Sequence, residues 1–73
     1  MNMPHPASAD LRIYTTSGRL VRALLSNTEL ASGKHIVDWD GRGDSGVQLA
    51  SGKYIVQLRT RDASDARVIT ILP

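Results

Sequence analysis

Seven residues restrict this chain more than any others. From Asp40 to Gly46 it reads Asp-Gly-Arg-Gly-Asp-Ser-Gly, with three glycines and two aspartates. Glycine reaches positive φ without steric penalty, and aspartate carboxylates accept hydrogen bonds from backbone amides two residues on. The stretch is therefore a turn, and no strand can run through it. On either side lie short runs of alternating apolar and polar residues, the period of a half-buried strand. From Asp10 onward turn residues interrupt these runs every eight to twelve positions, the spacing of a β-sandwich or barrel.

Six strands follow from this pattern. Leu11 to Thr15 alternates Leu11 and Ile13 against Arg12 and Tyr14, and Thr16-Ser17-Gly18 makes a tight hairpin turn. The return strand, Arg19 to Leu25, has Val21 and Leu24 out of strict alternation. Its shortness and its start directly after a turn favour a β-bulge over a helix. Ser26 to Gly33 reads as a polar loop. Lys34 to Trp39 alternates cleanly and puts His35, Val37 and Trp39 on an inward face. Val47 to Leu49 is a short strand, and Lys53 to Arg61 a long one with Tyr54, Val56 and Leu58 inward and Ile55, Gln57, Arg59 and Arg61 outward. Asp62 to Asp65 turns the chain, and Ala66 to Leu72, rich in β-branched and aliphatic residues, forms the last strand before Pro73. Residues 1–9 show no periodicity and read as a linker or disordered tail, leaving one domain over 10–73.

The composition narrows what such a domain can do. A chain of 73 residues buries only about 60% of its unfolded surface, so its stability margin is thin. There is no cysteine, hence no disulfide or thiolate metal site to reinforce it. No apolar run approaches the roughly 20 residues that span a bilayer, and no signal-peptide pattern opens the chain; a signal for export would lie upstream. The net charge of +2 is spread among scattered acidic and basic residues, a weak attraction at most for an anionic partner.

The order Ile13-Tyr14, Gly18-Arg19, Val21, Leu24, Gly33, His35, Val37, Trp39-Asp40-Gly41, Gly46, Ser51-Gly52, Tyr54 and Leu58 resembles the FlgD-like immunoglobulin family. That family includes the outer domain of the flagellar hook-capping protein and C-terminal domains similar to the sorting signals of type IX secretion cargo. The resemblance covers residues 11 to 72. It implies an all-β fold, an immunoglobulin-like β-sandwich of about six to seven antiparallel strands, with Trp39, Asp40, Gly41, Gly46, Gly52 and Tyr54 as its landmarks. The sorting domains commonly begin with a Pro-Asn-Pro segment and a further strand, where this chain has only Met3-Pro4-His5-Pro6, so the first strand of the sandwich is expected to be missing. They also often carry a basic residue at each end of the final strand; Arg67 meets the first condition and Leu72-Pro73 does not meet the second.

Other constellations read as structural. Asp38, Asp40 and Gly43 fall at the first, third and sixth places of a calcium loop, but Arg42 and Leu49 stand where oxygen donors are needed, so no metal is expected. Arg42-Gly43-Asp44 spells an adhesion tripeptide, as chance often does. His35 has no second ligand at metal spacing and reads as a hydrogen-bonded structural histidine. Arg12, Arg59, Arg61 and Arg67 could form a basic stripe, but the chain has only Trp39, Tyr14 and Tyr54 as aromatics to stack on bases, so nucleic acid is not expected. Nothing resembles a nucleophile elbow or a zinc-binding helix. The expectation is a protein that is not an enzyme and takes no cofactor.

The final strand is the place to look for function: as an unprotected edge strand it would recruit another strand, whereas as an internal, fully paired strand it would be structural, and the sequence pattern leaves both readings open. The candidate recognition residues are Arg67, Val68, Ile69, Thr70, Ile71 and Leu72. Expected partners are secretion machinery, a neighbouring domain or a second copy. The resemblance implies the C-terminal module of an exported bacterial protein, carrying a type IX sorting and cell-surface attachment signal. It leaves two alternatives, a hook-capping-like assembly domain and an accessory polysaccharide-binding module.

Overall fold

The computed structural model describes residues 2–72 and is all-β. Its strands are β1 (Asn2–Met3), β2 (Ala7–Thr15), β3 (Leu20–Leu30), β4 (Gly33–Lys34), β5 (Gly52–Thr60) and β6 (Ser64–Ile71). Four of them build one antiparallel sheet in the order β3-β2-β5-β6, while β1 and β4 form a separate antiparallel pair.

The β2–β3 hairpin closes through the amide of Thr15, which donates to the carbonyl of Arg19 at 2.8 Å, and the amide of Gly18, which donates to Thr15 at 3.0 Å. Gly18 sits at φ +93°, a conformation that a Cβ would oppose, so the turn needs glycine there. The bulge expected in β3 is present: its register against β2 shifts between Leu11 and Arg12 and again between Ile13 and Tyr14. A third shift lies between Ala9 and Leu11. There Asn27 adopts φ +46° and its amide donates to the Asp10 carboxylate at 2.7 Å.

Alternation fixes the core. Leu11 pairs with Leu58, Ile13 with Val56 and Thr15 with Tyr54, so the apolar positions of β2 and β5 share one face. Ala9, Leu11, Ile13 and Tyr54 are buried there, Ile13 at 1% exposure. The opposite face carries Asp10, Arg12 and Tyr14 of β2 with Ile55, Gln57 and Arg59 of β5.

Several expectations need correction. Of the expected sandwich of six to seven strands, the described residues show six strands, four in one antiparallel sheet and two in a separate short pair. Residues 7–9 are no tail but the start of β2, and Met3 is buried at 4% exposure. The polar loop expected over Ser26 to Gly33 is largely strand, because β3 is an edge strand and its polar side chains can face water. The strand expected over Lys34 to Trp39 ends at Lys34: β1 pairs with Gly33 and Lys34 alone, and no described strand lies beside residues 35–40. Val37 is accordingly 37% exposed, and the inward face proposed for His35, Val37 and Trp39 holds only in part, for the half-buried His35 and Trp39. Val47 to Leu49 is reduced to one bridge, Arg42 with Gln48.

Candidate functional site

The turn after Trp39 binds itself and the sheet through a dense set of polar contacts. The Asp40 carboxylate accepts from the amide of Arg42 at 3.0 Å, the Asx-type contact expected of an aspartate in a turn. The Trp39 indole donates to the carbonyl of Arg42 at 3.0 Å, and the Arg42 guanidinium donates to the carbonyl of Gly46 at 3.0 Å. The amide of Gly43 donates to Val47, and the amide of Leu49 to Gly41, each at 3.0 Å. Trp39 meets Tyr54 edge to face, with ring centroids 6.3 Å apart and planes at 74°. Tyr54 in turn donates its hydroxyl to the carbonyl of Ala50 at 2.7 Å. Of the six landmark residues, Trp39, Asp40, Gly41 and Gly46 thus belong to the turn and Gly52 and Tyr54 to β5, with the Trp39–Tyr54 contact joining the two.

Asp44 carries the turn onto the edge of the sheet. Its amide donates to the carbonyl of Val21 at 2.9 Å, and its carboxylate accepts from the amide of Ala23 at 3.1 Å. Arg22, which the sequence pattern did not single out, reaches the carbonyls of Arg42 and Gly43 at 3.3 Å and lies 3.9 Å from the carboxylates of both Asp40 and Asp44. Arg42 and Asp44 of the adhesion-like tripeptide are therefore engaged within the chain.

The opposite edge is different. Strand β6 pairs with β5 from Gly52↔Ile71 to Arg59↔Ser64 without a register shift, and its other side is the outer edge of the sheet. The candidate recognition residues lie along it on alternate faces. Arg67, Ile69 and Ile71, opposite Val56, Tyr54 and Gly52, belong to the inner face; Val68 and Thr70, opposite Ile55 and Lys53, belong to the outer. Val68 is 65% exposed and Leu72, just past the strand, 78%. Arg67 donates to the carboxylate of Asp65 at 3.3 Å in an ion pair open to solvent.

Beside this edge the inner face opens into a groove of about 800 Å³. Its apolar walls are Met3, Leu11, Val56, Leu58 and Ile69, and Lys34, Asp62, Asp65 and Arg67 supply charge. The groove lies where the second sheet of a full sandwich was expected. The basic stripe assembles only in part: Arg12 and Arg59 share the outer face, opposite Gln57 and Asp10, whereas Arg67 is on the inner face beside Asp65. No helix among the described residues is long and apolar enough to cross a membrane.

The FlgD Ig-like domain model matches residues 1–70. The chain belongs to the FlgD Ig-like domain family. No curated protein and no solved structure matches it. The family match takes in residues 1–10 as well, in keeping with the strand at Ala7–Thr15 and the buried Met3.

Proposed function

We propose that this FlgD Ig-like domain is a non-catalytic docking module of an exported bacterial protein, recognised through β6 by the machinery that sorts its parent to the cell surface. The observation that carries the reading is the asymmetry of the sheet. One edge is engaged by Asp44 at Val21 and Ala23 and interrupted by bulges, while the other presents a regular strand with its outward amides and carbonyls available to a partner. Strand addition needs no cofactor and no reacting group, only an unpaired backbone ladder and side chains on either face to select the partner. In this reading Arg67 to Leu72 are the recognised segment, and the resemblance to type IX sorting domains suggests the route.

The family also supports a second reading. The flagellar hook-capping protein after which it is named points to assembly, in which the same edge would be buried against a neighbouring subunit or domain.

The test is to fuse residues 1–73 to a periplasm-directed reporter in a bacterium with type IX secretion. Arrival of the reporter at the cell surface, lost on Arg67→Ala or Val68→Lys, is the expected result. Retention in the periplasm with the domain folded would overturn the sorting reading and leave assembly.

A further inference from the structure

We infer that the free edge of β6 pairs with the β6 of a second copy, antiparallel about a two-fold axis at Val68. The inference takes from the reading above only that β6 is the pairing strand; it does not depend on secretion.

Symmetry leaves few choices. A two-fold perpendicular to the sheet sets each residue opposite a residue of the same face, so the axis must pass through a residue and not between two. Strand β6 runs from Ser64 to Ile71, and its midpoint lies between Arg67 and Val68. Axes at Arg67 and Val68 therefore give the longest overlap, pairing residues 64–70 and 65–71 respectively, seven of the strand's eight residues. An axis at Arg67 sets that guanidinium directly against its own copy, and like charges directly opposite are destabilising. An axis at Ala66 would set Asp65 against Arg67 of the second copy, but exposed ion pairs are worth little, and each arginine already has its Asp65 at 3.3 Å. That register also gives up the hydrogen bonds of the strand's C-terminal half. The axis at Val68 keeps this longest ladder and separates the like charges.

The side chains suit it. On the outer face Leu20 pairs with Tyr14, Tyr14 with Ile55 and Ile55 with Val68, an apolar row that crosses all four strands and ends at the free edge. Leu20 and Val68 at its two ends are 45% and 65% exposed. Setting Val68 against Val68 of a second copy joins two such rows into one. On the inner face the Arg67 stem lies along Ile69 of the second copy with its head in the open groove, so the charge stays hydrated. Asp65 and Arg67 on the core side of an edge strand are a familiar guard against indiscriminate pairing. Here they select the register. A strand edge alone buries less than the roughly 800 Å² per partner of a standard interface, so the association is weak and depends on concentration.

The chain has no cysteine, which makes the test direct. In sedimentation equilibrium of residues 1–73 from micromolar to millimolar concentration, a monomer–dimer equilibrium is expected, weakened about tenfold or more by Val68→Lys, which opposes like charges at the axis. Circular dichroism checks that the variant is folded. Among single-cysteine variants Ala66→Cys, Arg67→Cys, Val68→Cys and Ile69→Cys, oxidised under identical conditions, Val68→Cys is expected to form the dimeric disulfide fastest. A monomer at every concentration, or fastest cross-linking at another position, would overturn the inference. Because the purified domain is used, a monomer that still directs export would sink self-pairing alone, and a dimer that fails to direct export would sink sorting alone.

Discussion

The carboxylate of Asp44 accepts the amide hydrogen of Ala23 at 3.1 Å, while the amide of Asp44 donates to Val21 at 2.9 Å. One turn residue thus satisfies two outward backbone groups of β3, those of Val21 and Ala23, much as a neighbouring strand would. This contact ties the glycine-rich turn to one edge of the sheet.

Removing that carboxylate should loosen the turn without touching the core. Asp44→Ala is expected to cost about 1 kcal/mol, since the bond is exposed yet leaves the amide of Ala23 without its acceptor. Asp44→Asn, which keeps an oxygen in place, should recover most of it. Urea denaturation measures both as a lower midpoint at an unchanged slope.

Gly46 isolates a backbone effect. Its φ is +84°, its amide donates to Gly43 at 2.9 Å, and a Cβ there would meet nothing within 4 Å. The cost of Gly46→Ala is therefore the left-handed conformation alone, about 1 kcal/mol or slightly more. In a domain of this size that lowers Tm by roughly 4–8 °C. Gly46→Asn should lose less, because asparagine tolerates that region. Equal loss in the two variants would count against the conformational explanation.

How far these features were legible in the sequence depends on whether they leave a periodic trace. Leu11, Ile13, Tyr54, Val56 and Leu58 do, and all five lie on the face their alternation assigns. Gly18 was legible because a hairpin turn has its own residue preferences. Ser26 to Leu30 was not: an edge strand can be polar, and polarity reads as loop. The contacts of Asp44 and Arg22 between turn and sheet were not legible, because a bond between residues twenty or more positions apart follows no local period. His35 to Trp39 misled in the opposite direction, alternating like a strand although no described strand lies beside it. The candidate segment itself was legible by composition, but its place at the edge is a matter of strand order, on which alternation is silent.

Tyr54 combines three roles, and its variants should separate them. The residue is buried, donates to Ala50 and packs edge to face with Trp39. Tyr54→Phe keeps the ring and removes the hydroxyl, at about 1 kcal/mol. Tyr54→Ala removes the ring and leaves a cavity, at roughly 3–5 kcal/mol, most of what a small domain possesses. The first variant should melt cooperatively a few degrees lower. The second should be largely unfolded at 25 °C by circular dichroism.

Arg67 should behave in the reverse way, and that contrast is the most useful one for function. Its side chain is 81% exposed, and its one ion pair, with an Asp65 that is 62% exposed, is screened by water. Arg67→Ala should therefore lie within about 0.5 kcal/mol of the parent in denaturant. If the edge of β6 is what a partner reads, the same variant should still lower surface delivery of the reporter severalfold, while Asp44→Ala, less stable but intact at β6, should deliver it normally at a temperature where both are folded. Delivery that instead followed stability across the two variants would mean that the partner reads the folded domain as a whole and not this strand.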